Sequence, residues 1–107
     1  MEKRAFKRIP ISLEAELMLG YISYAAIVED ISECGLNMII TPMKNEIDFA
    51  PKAKLELKLH ITSGETLHLN CRGIWSSKFS PYGLTKKMGM EIIDPPTKYK
   101  ELLNSLQ

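Results

Sequence analysis

Apolar residues recur at every second position through most of this chain, the pattern of strands that bury one face. Leu13, Ala15, Leu17 and Leu19 alternate with Glu14, Glu16 and Met18 until Gly20 ends the run. The next segment, Tyr21 to Ile31, is rich in β-branched and aromatic residues, which favour strand. Its Tyr24, Ile27, Val28 and Ile31 put apolar groups on both faces, so period alone leaves the core face open; a bulge or a covering element would resolve it. Leu36 to Ile40 reads as a third strand, stopped by Thr41-Pro42. Pro42 to Pro51 reads as a long connection whose Met43, Ile47 and Phe49 cover one end of the core.

From Lys54 the alternation is clean. Leu55, Leu57, Leu59 and Ile61 face in, Lys54, Glu56, Lys58 and His60 face out, and Thr62-Ser63-Gly64-Glu65 supplies a hairpin. The return strand places Leu67, Leu69, Cys71 and Trp75 on one face and His68, Asn70 and Arg72 on the other. Ser80-Pro81-Tyr82-Gly83 forms a second turn, and Met88, Met90 and Ile92 line the inner face of a sixth strand. After Asp94-Pro95-Pro96-Thr97 the period changes: Tyr99, Leu102, Leu103 and Leu106 fall at i, i+3, i+4 and i+7, a short amphipathic helix. About three turns are marginal alone in water, so the helix must pack, either on the barrel, the favoured reading, or on a partner. The expected fold is mainly β, a six-stranded antiparallel barrel with a short C-terminal α-helix. One domain spans 1–107, with a mobile arm over 1–11, the barrel over 12–93 and the helix over 95–107.

Composition narrows the function. With 107 residues, 45% of them hydrophobic and 25% charged, the chain is an ordinary globular domain with one core. A net charge of +1 lacks the basic excess of a general nucleic-acid or membrane-surface binder, so anion recognition must be local. Near-neutral charge and 7% aromatic residues also argue against a barrel that binds single-stranded DNA or RNA, which needs basic tracks and stacking rings. No apolar run approaches a bilayer span, and Met1-Glu2-Lys3-Arg4 leads into no signal segment; a cytoplasmic protein without membrane insertion is expected. Cys34 and Cys71 lack metal-ligand spacing and read as reduced thiols. His60 and His68 have no catalytic partner in sequence and read as solvated. No paired nucleophile and base, metal cluster or phosphate-binding glycine loop marks an enzyme, a cofactor or a metal.

Two short polar motifs carry the chemistry: Arg4-x-x-x-Arg8 and Asp30-x-Ser32-x-x-Gly35. An arginine fork can grip the O6 and N7 acceptors of guanine, pair with phosphate or stack on a base. A carboxylate accepts from guanine's donor edge, and a serine hydroxyl donates or accepts. In extended chain Asp30 and Ser32 share a face, and Gly35 provides a bend or a close backbone approach. The set suits a guanine nucleotide.

Neither motif is specific alone, but their order, with one strand between them in a β-rich chain, resembles the PilZ domain family over essentially the whole sequence. The resemblance implies a six-stranded barrel that binds cyclic di-GMP on its outer surface, with the Arg-bearing segment closing over the ligand. It assigns the ligand to Arg4, Arg8, Asp30, Ser32 and Gly35, and leaves Lys3 open between a phosphate contact and a solvated lysine. Cys71-Arg72-Gly73-Ile74-Trp75 and Gly89-Met90-Glu91-Ile92 are similar to later strands of the family. Trp75 reads as core or rim packing before a stacking platform, and Arg72 as solvated. The implied mechanism is a non-catalytic switch: the ligand orders the arm, reshapes one surface and signals to a protein partner, since the chain shows no output domain. The alternative is a PilZ-like interaction module that does not bind nucleotide.

Overall fold

Six strands and one helix account for the structure, a computed structural model that describes residues 7–40, 54–78 and 85–106. They are β1 (Ile9–Leu19), β2 (Ile22–Ile31), β3 (Gly35–Ile40), β4 (Lys54–His60), β5 (Thr66–Lys78), β6 (Lys86–Ile93) and α1 (Thr97–Leu106). Every pairing is antiparallel, and the sheet closes in the order β1-β2-β3-β6-β5-β4, with β4 returning to β1. Closure removes the unpaired strand edges that an open sheet exposes. The expected barrel with its C-terminal helix is therefore the fold. The long connection with Met43, Ile47 and Phe49 and the turn Ser80-Pro81-Tyr82-Gly83 lie outside the described residues.

The interior is filled by the alternation read from the sequence. Leu17, Val28, Leu36, Met38, Leu57, Leu59, Leu69, Met88 and Met90 are all buried in one cluster. At Gly64 the hairpin between β4 and β5 needs a positive φ of 100°, open to glycine without steric cost. The Gly64 amide donates to the Ile61 carbonyl at 2.9 Å, and Ile61 N–H to the Glu65 carbonyl at 3.0 Å.

Bulges decide where the alternation changes sense. Between β2 and β3 the register shifts between Val28 and Asp30, leaving Glu29 as the extra residue. In a regular strand Asp30 would share Val28's inward face; the bulge turns Asp30 out and Ile31 in, which resolves the two-sided apolar pattern of this segment. Another shift lies between Pro10 and Leu13 of β1. That irregularity hides the strand start from a period-two reading, so residues 9–11, expected in the arm, belong to β1. Likewise α1 starts at Thr97, because the Pro96 carbonyl is the first acceptor of the helix, receiving Tyr99 N–H at 3.0 Å and Lys100 N–H at 3.2 Å. Tyr99 and Leu103 enter the barrel core, Leu102 packs at its margin, and Leu106 stays 42% exposed.

Candidate functional site

The two motifs meet on the outside of the barrel. Arg8 immediately precedes β1, and Asp30 lies near the end of β2, where Pro10 is its cross-strand partner. From this position Arg8 reaches back to the carboxylate: Nε donates to Asp30 Oδ1 at 2.9 Å, and Nη2 lies 2.8 Å from the same oxygen. The side chains remain 43% and 25% exposed. Such a pair contributes only about 0–1 kcal/mol, so either group can exchange it for another partner at little cost. Asn37, directly opposite Asp30 on β3, donates from Nδ2 to both carboxylate oxygens at 3.2 Å. Arg4 and Lys3 lie outside the described residues.

Ser32 and Gly35 do different work from Asp30. β2 ends at Ile31, so Ser32 sits in the turn rather than beside Asp30 on an extended face, and it is buried. Its amide donates to the Gly35 carbonyl at 2.8 Å and its hydroxyl donates to the same oxygen at 3.2 Å, closing a tight loop. The expectation that Asp30 and Ser32 share a face fails here, because strand geometry ends before Ser32. Gly35 does provide a close approach, but to the barrel itself: a Cβ there would stand 2.5 Å from the Met90 carbonyl oxygen. Ile92 N–H donating to the Cys34 carbonyl at 2.7 Å ties the turn to β6 as well.

A third contact holds the turn from beneath. The hydroxyl of Tyr99, on α1, donates to the Ser32 carbonyl at 2.6 Å and lies 3.5 Å from the Gly35 carbonyl. Tyr99 is fully buried, and burial followed by the nearby Cys71 pushes its ionisation well above the ordinary tyrosine range. It therefore stays a neutral donor across the accessible pH range. A groove of about 480 Å³ lies between the turn and the helix, lined by Glu33, Cys34, Pro95, Lys100, Leu103 and Asn104.

The open face extends along a cross-strand row. Asp30 pairs with Asn37, Asn37 with Gly89, and Gly89 with Trp75, so β2, β3, β6 and β5 each contribute one position. At about 4.8 Å per strand the row spans about 14 Å. Trp75 was expected on the core face with Leu67, Leu69 and Cys71, but it lies on the outer face, 44% exposed. The cause is a bulge at Ile74: Gly73 pairs with Met90 and Trp75 with Gly89, so the parity of β5 reverses between them. Trp75 thus shares its face with Arg72. Its indole occupies the space that a side chain at position 89 would fill, with Nε1 only 2.1 Å from where that Cβ would be. Arg72 is paired with Glu91 at 3.5 Å.

Other candidates stand apart from this face. Cys34 is exposed and Cys71 buried, neither in a disulfide, and burial alone raises the Cys71 thiol to about 12. His60 contacts Glu16 at 3.5 Å and Thr66 at 3.1 Å, and His68 contacts Glu56 at 3.6 Å, all exposed pairs on β1, β4 and β5. Among the described residues no group of three His, Cys, Asp or Glu side chains is placed to hold a metal ion, and no helix is long and apolar enough to cross a membrane.

Reading the sequence missed Asn37 and Tyr99. Asn37 carries a faint signal, the one polar residue among Leu36, Met38, Ile39 and Ile40 and two positions past Gly35. Tyr99 carries none, because its partner is 67 residues away.

Comparison with known proteins places this geometry. The family profile for the PilZ domain matches residues 2–106. No curated protein sequence matches the chain. Among solved structures, the PilZ domain with c-di-GMP of YcgR from Escherichia coli superposes with a TM-score of 0.77 at 12% identity, covering 98% of this chain and 92% of that one. The Bacillus subtilis inhibitor of motility, MotI/DgrA, superposes at 0.75 with 14% identity over 99% of this chain and 50% of its own. The Borreliella burgdorferi PlzA protein in complex with c-di-GMP gives 0.61 and 17% over 92% and 50%. The chain therefore spans about half the length of the Bacillus and Borreliella proteins. With its closed six-stranded barrel, its C-terminal helix and a family match over nearly its whole length, the chain belongs to the PilZ domain family.

Proposed function

We propose that this domain is a receptor for cyclic di-GMP, bound on the outer face that carries Arg8 and Asp30. The observation that supports it most is the meeting of these two side chains, 22 residues apart in sequence, at 2.8 Å on an open surface. Guanine presents acceptors, O6 and N7, on one edge and donors, N1–H and N2–H, on another. An arginine fork and a carboxylate side by side complement both. Arg8 leaves Asp30 to grip O6 and N7 or a phosphate, and Asp30 accepts from the donor edge. Arg4 joins Arg8 on the ligand, with Lys3 as a further phosphate contact. Ser32 and Gly35 contribute by shaping the turn that presents Asp30. The exposed indole of Trp75, at the far end of the row, offers a stacking face for a second base.

Two structural relatives, the YcgR PilZ domain and the PlzA protein, are complexes with c-di-GMP, which supports the same ligand here. Binding draws the segment carrying Arg4 and Arg8 onto the barrel, and the reshaped face signals to a protein partner. The reaction is recognition without turnover. Calorimetric titration of cyclic di-GMP into the wild type, Arg8→Ala and Asp30→Ala, with GMP as a control ligand, tests the proposal. Saturable wild-type binding that weakens at least about tenfold in each variant is expected, the loss of one charge-assisted contact. A wild type that takes up no cyclic di-GMP would overturn the receptor reading and favour a PilZ-like protein-interaction module.

A further inference from the structure

Asn37 belongs to neither sequence motif, yet it holds both carboxylate oxygens of Asp30 from the neighbouring strand. The bulge at Glu29 sets Asp30 directly across from it, and its Nδ2 is equidistant, at 3.2 Å, from both carboxylate oxygens. The orientation of the amide follows from the chemistry: its carbonyl end turned toward Asp30 would set oxygen against a carboxylate, so the amino end must face it. With Nδ2 committed, the Oδ1 end of the same planar group points away from Asp30. Among the described residues no donor reaches that oxygen. The row therefore presents two acceptors in sequence, the Asp30 carboxylate and the Asn37 carbonyl oxygen, followed by Gly89, over which the Trp75 indole lies.

Two adjacent acceptors match a base with two adjacent donors. Guanine has them, in N1–H and the exocyclic N2 amino group; adenine has an acceptor at N1 and no amino group at C2, and hypoxanthine keeps N1–H but lacks the amino group. We propose that Asn37 is the specificity-determining residue of this face: it fixes the Asp30 carboxylate toward the base and uses its own Oδ1 to accept from the exocyclic amino group of guanine. This inference rests on the nucleotide-receptor reading above and deepens it. Discrimination by a buried or half-buried acceptor is strong because an analogue without the donor leaves that acceptor unpaired.

Titrations of cyclic di-GMP and of its inosine analogue, cyclic di-IMP, into wild type, Asn37→Ala and Asn37→Asp test the role. The wild type should prefer cyclic di-GMP by about tenfold or more, the value of one hydrogen bond to a base amino group. Asn37→Ala should collapse that preference, losing affinity for cyclic di-GMP much more than for cyclic di-IMP. A purely structural asparagine would weaken both ligands alike and keep their ratio. Asn37→Asp sets two carboxylates side by side, which cannot both ionise freely. Its cyclic di-GMP affinity should rise as pH falls from 8 to 5, when the proton bound between the carboxylates restores a donor to Asp30, while wild-type affinity stays flat. Circular dichroism checks the folding of both variants, and the Asp variant carries the test if the Ala variant is unfolded. A wild type that binds, with the ratio unchanged in Asn37→Ala or no pH dependence in Asn37→Asp, overturns the role of Asn37 and leaves the receptor reading standing. A wild type that binds neither ligand overturns both.

Discussion

Replacing Tyr99 with phenylalanine removes one atom from the contact that joins α1 to the motif turn. The ring is fully buried and would stay so, and no cavity larger than a hydroxyl is created. What is lost is the 2.6 Å hydrogen bond to the Ser32 carbonyl, in a place where Ser32 is itself buried. A buried acceptor deprived of its donor costs about 1–3 kcal/mol. Against a total stability of about 5–15 kcal/mol for a domain of this kind, that is a large fraction. In urea, with a slope of about 1.5 kcal/mol per molar, the midpoint should fall by about 0.7–2 M. The loss should also be local. Hydrogen exchange at the Ser32 amide, which donates to the Gly35 carbonyl at 2.8 Å, should accelerate more than at core amides of β4 and β5. Ser105→Ala serves as the control, since its hydroxyl bonds the Leu102 carbonyl on the exposed side of the helix. If Tyr99→Phe moved the midpoint no further than Ser105→Ala and left the Ser32 amide protected, the turn would not depend on the helix and the reasoning would be wrong.

Two further perturbations probe the same framework. Gly35→Ala drives a methyl group to 2.5 Å from the Met90 carbonyl oxygen, a backbone atom that can yield only by parting β3 from β6; about 1–3 kcal/mol of destabilisation is expected by thermal or urea unfolding. An unchanged midpoint would show that the two strands separate freely. For pH, burial raises the Cys71 thiol from 9.0 to about 12, so in the unfolded chain it ionises first. Its contribution to stability is whole below pH 9 and drains as pH climbs toward 12, by at most about 1.4 kcal/mol per pH unit. Urea midpoints should therefore decline above pH 9, less steeply in Cys71→Ala, while equal slopes in the two proteins would refute the assignment.

The barrel was legible because its alternation is strict wherever a strand is regular. Leu55, Leu57 and Leu59 face in, as do Met88, Met90 and Ile92, and the change to a 3.6-residue period marks α1. The site was legible only as composition. Its motifs supplied the chemistry, but the two-residue spacing predicts Ser32 on the same face as Asp30, and the strand ends before Ser32. Trp75 departs from the alternation for a related reason: a single extra residue, Ile74, turns it from the inner to the outer face.

What the sequence by itself determined is local. Alternation sets which residues are buried, turn chemistry sets where strands reverse, and two motifs set which functional groups are available, because each depends on residues within a few positions of one another. What only the tertiary structure decided is pairing. Bulges depend on the partner strand, so the outward turn of Asp30 and of Trp75 could not be read from either strand alone. The union of Arg8, Asp30 and Asn37, the need for glycine at position 35 beneath the Met90 carbonyl, and the Tyr99 contact to Ser32 all join residues far apart in the chain. A hydrogen bond depends on distance in space, and distance in space is settled only when the barrel closes.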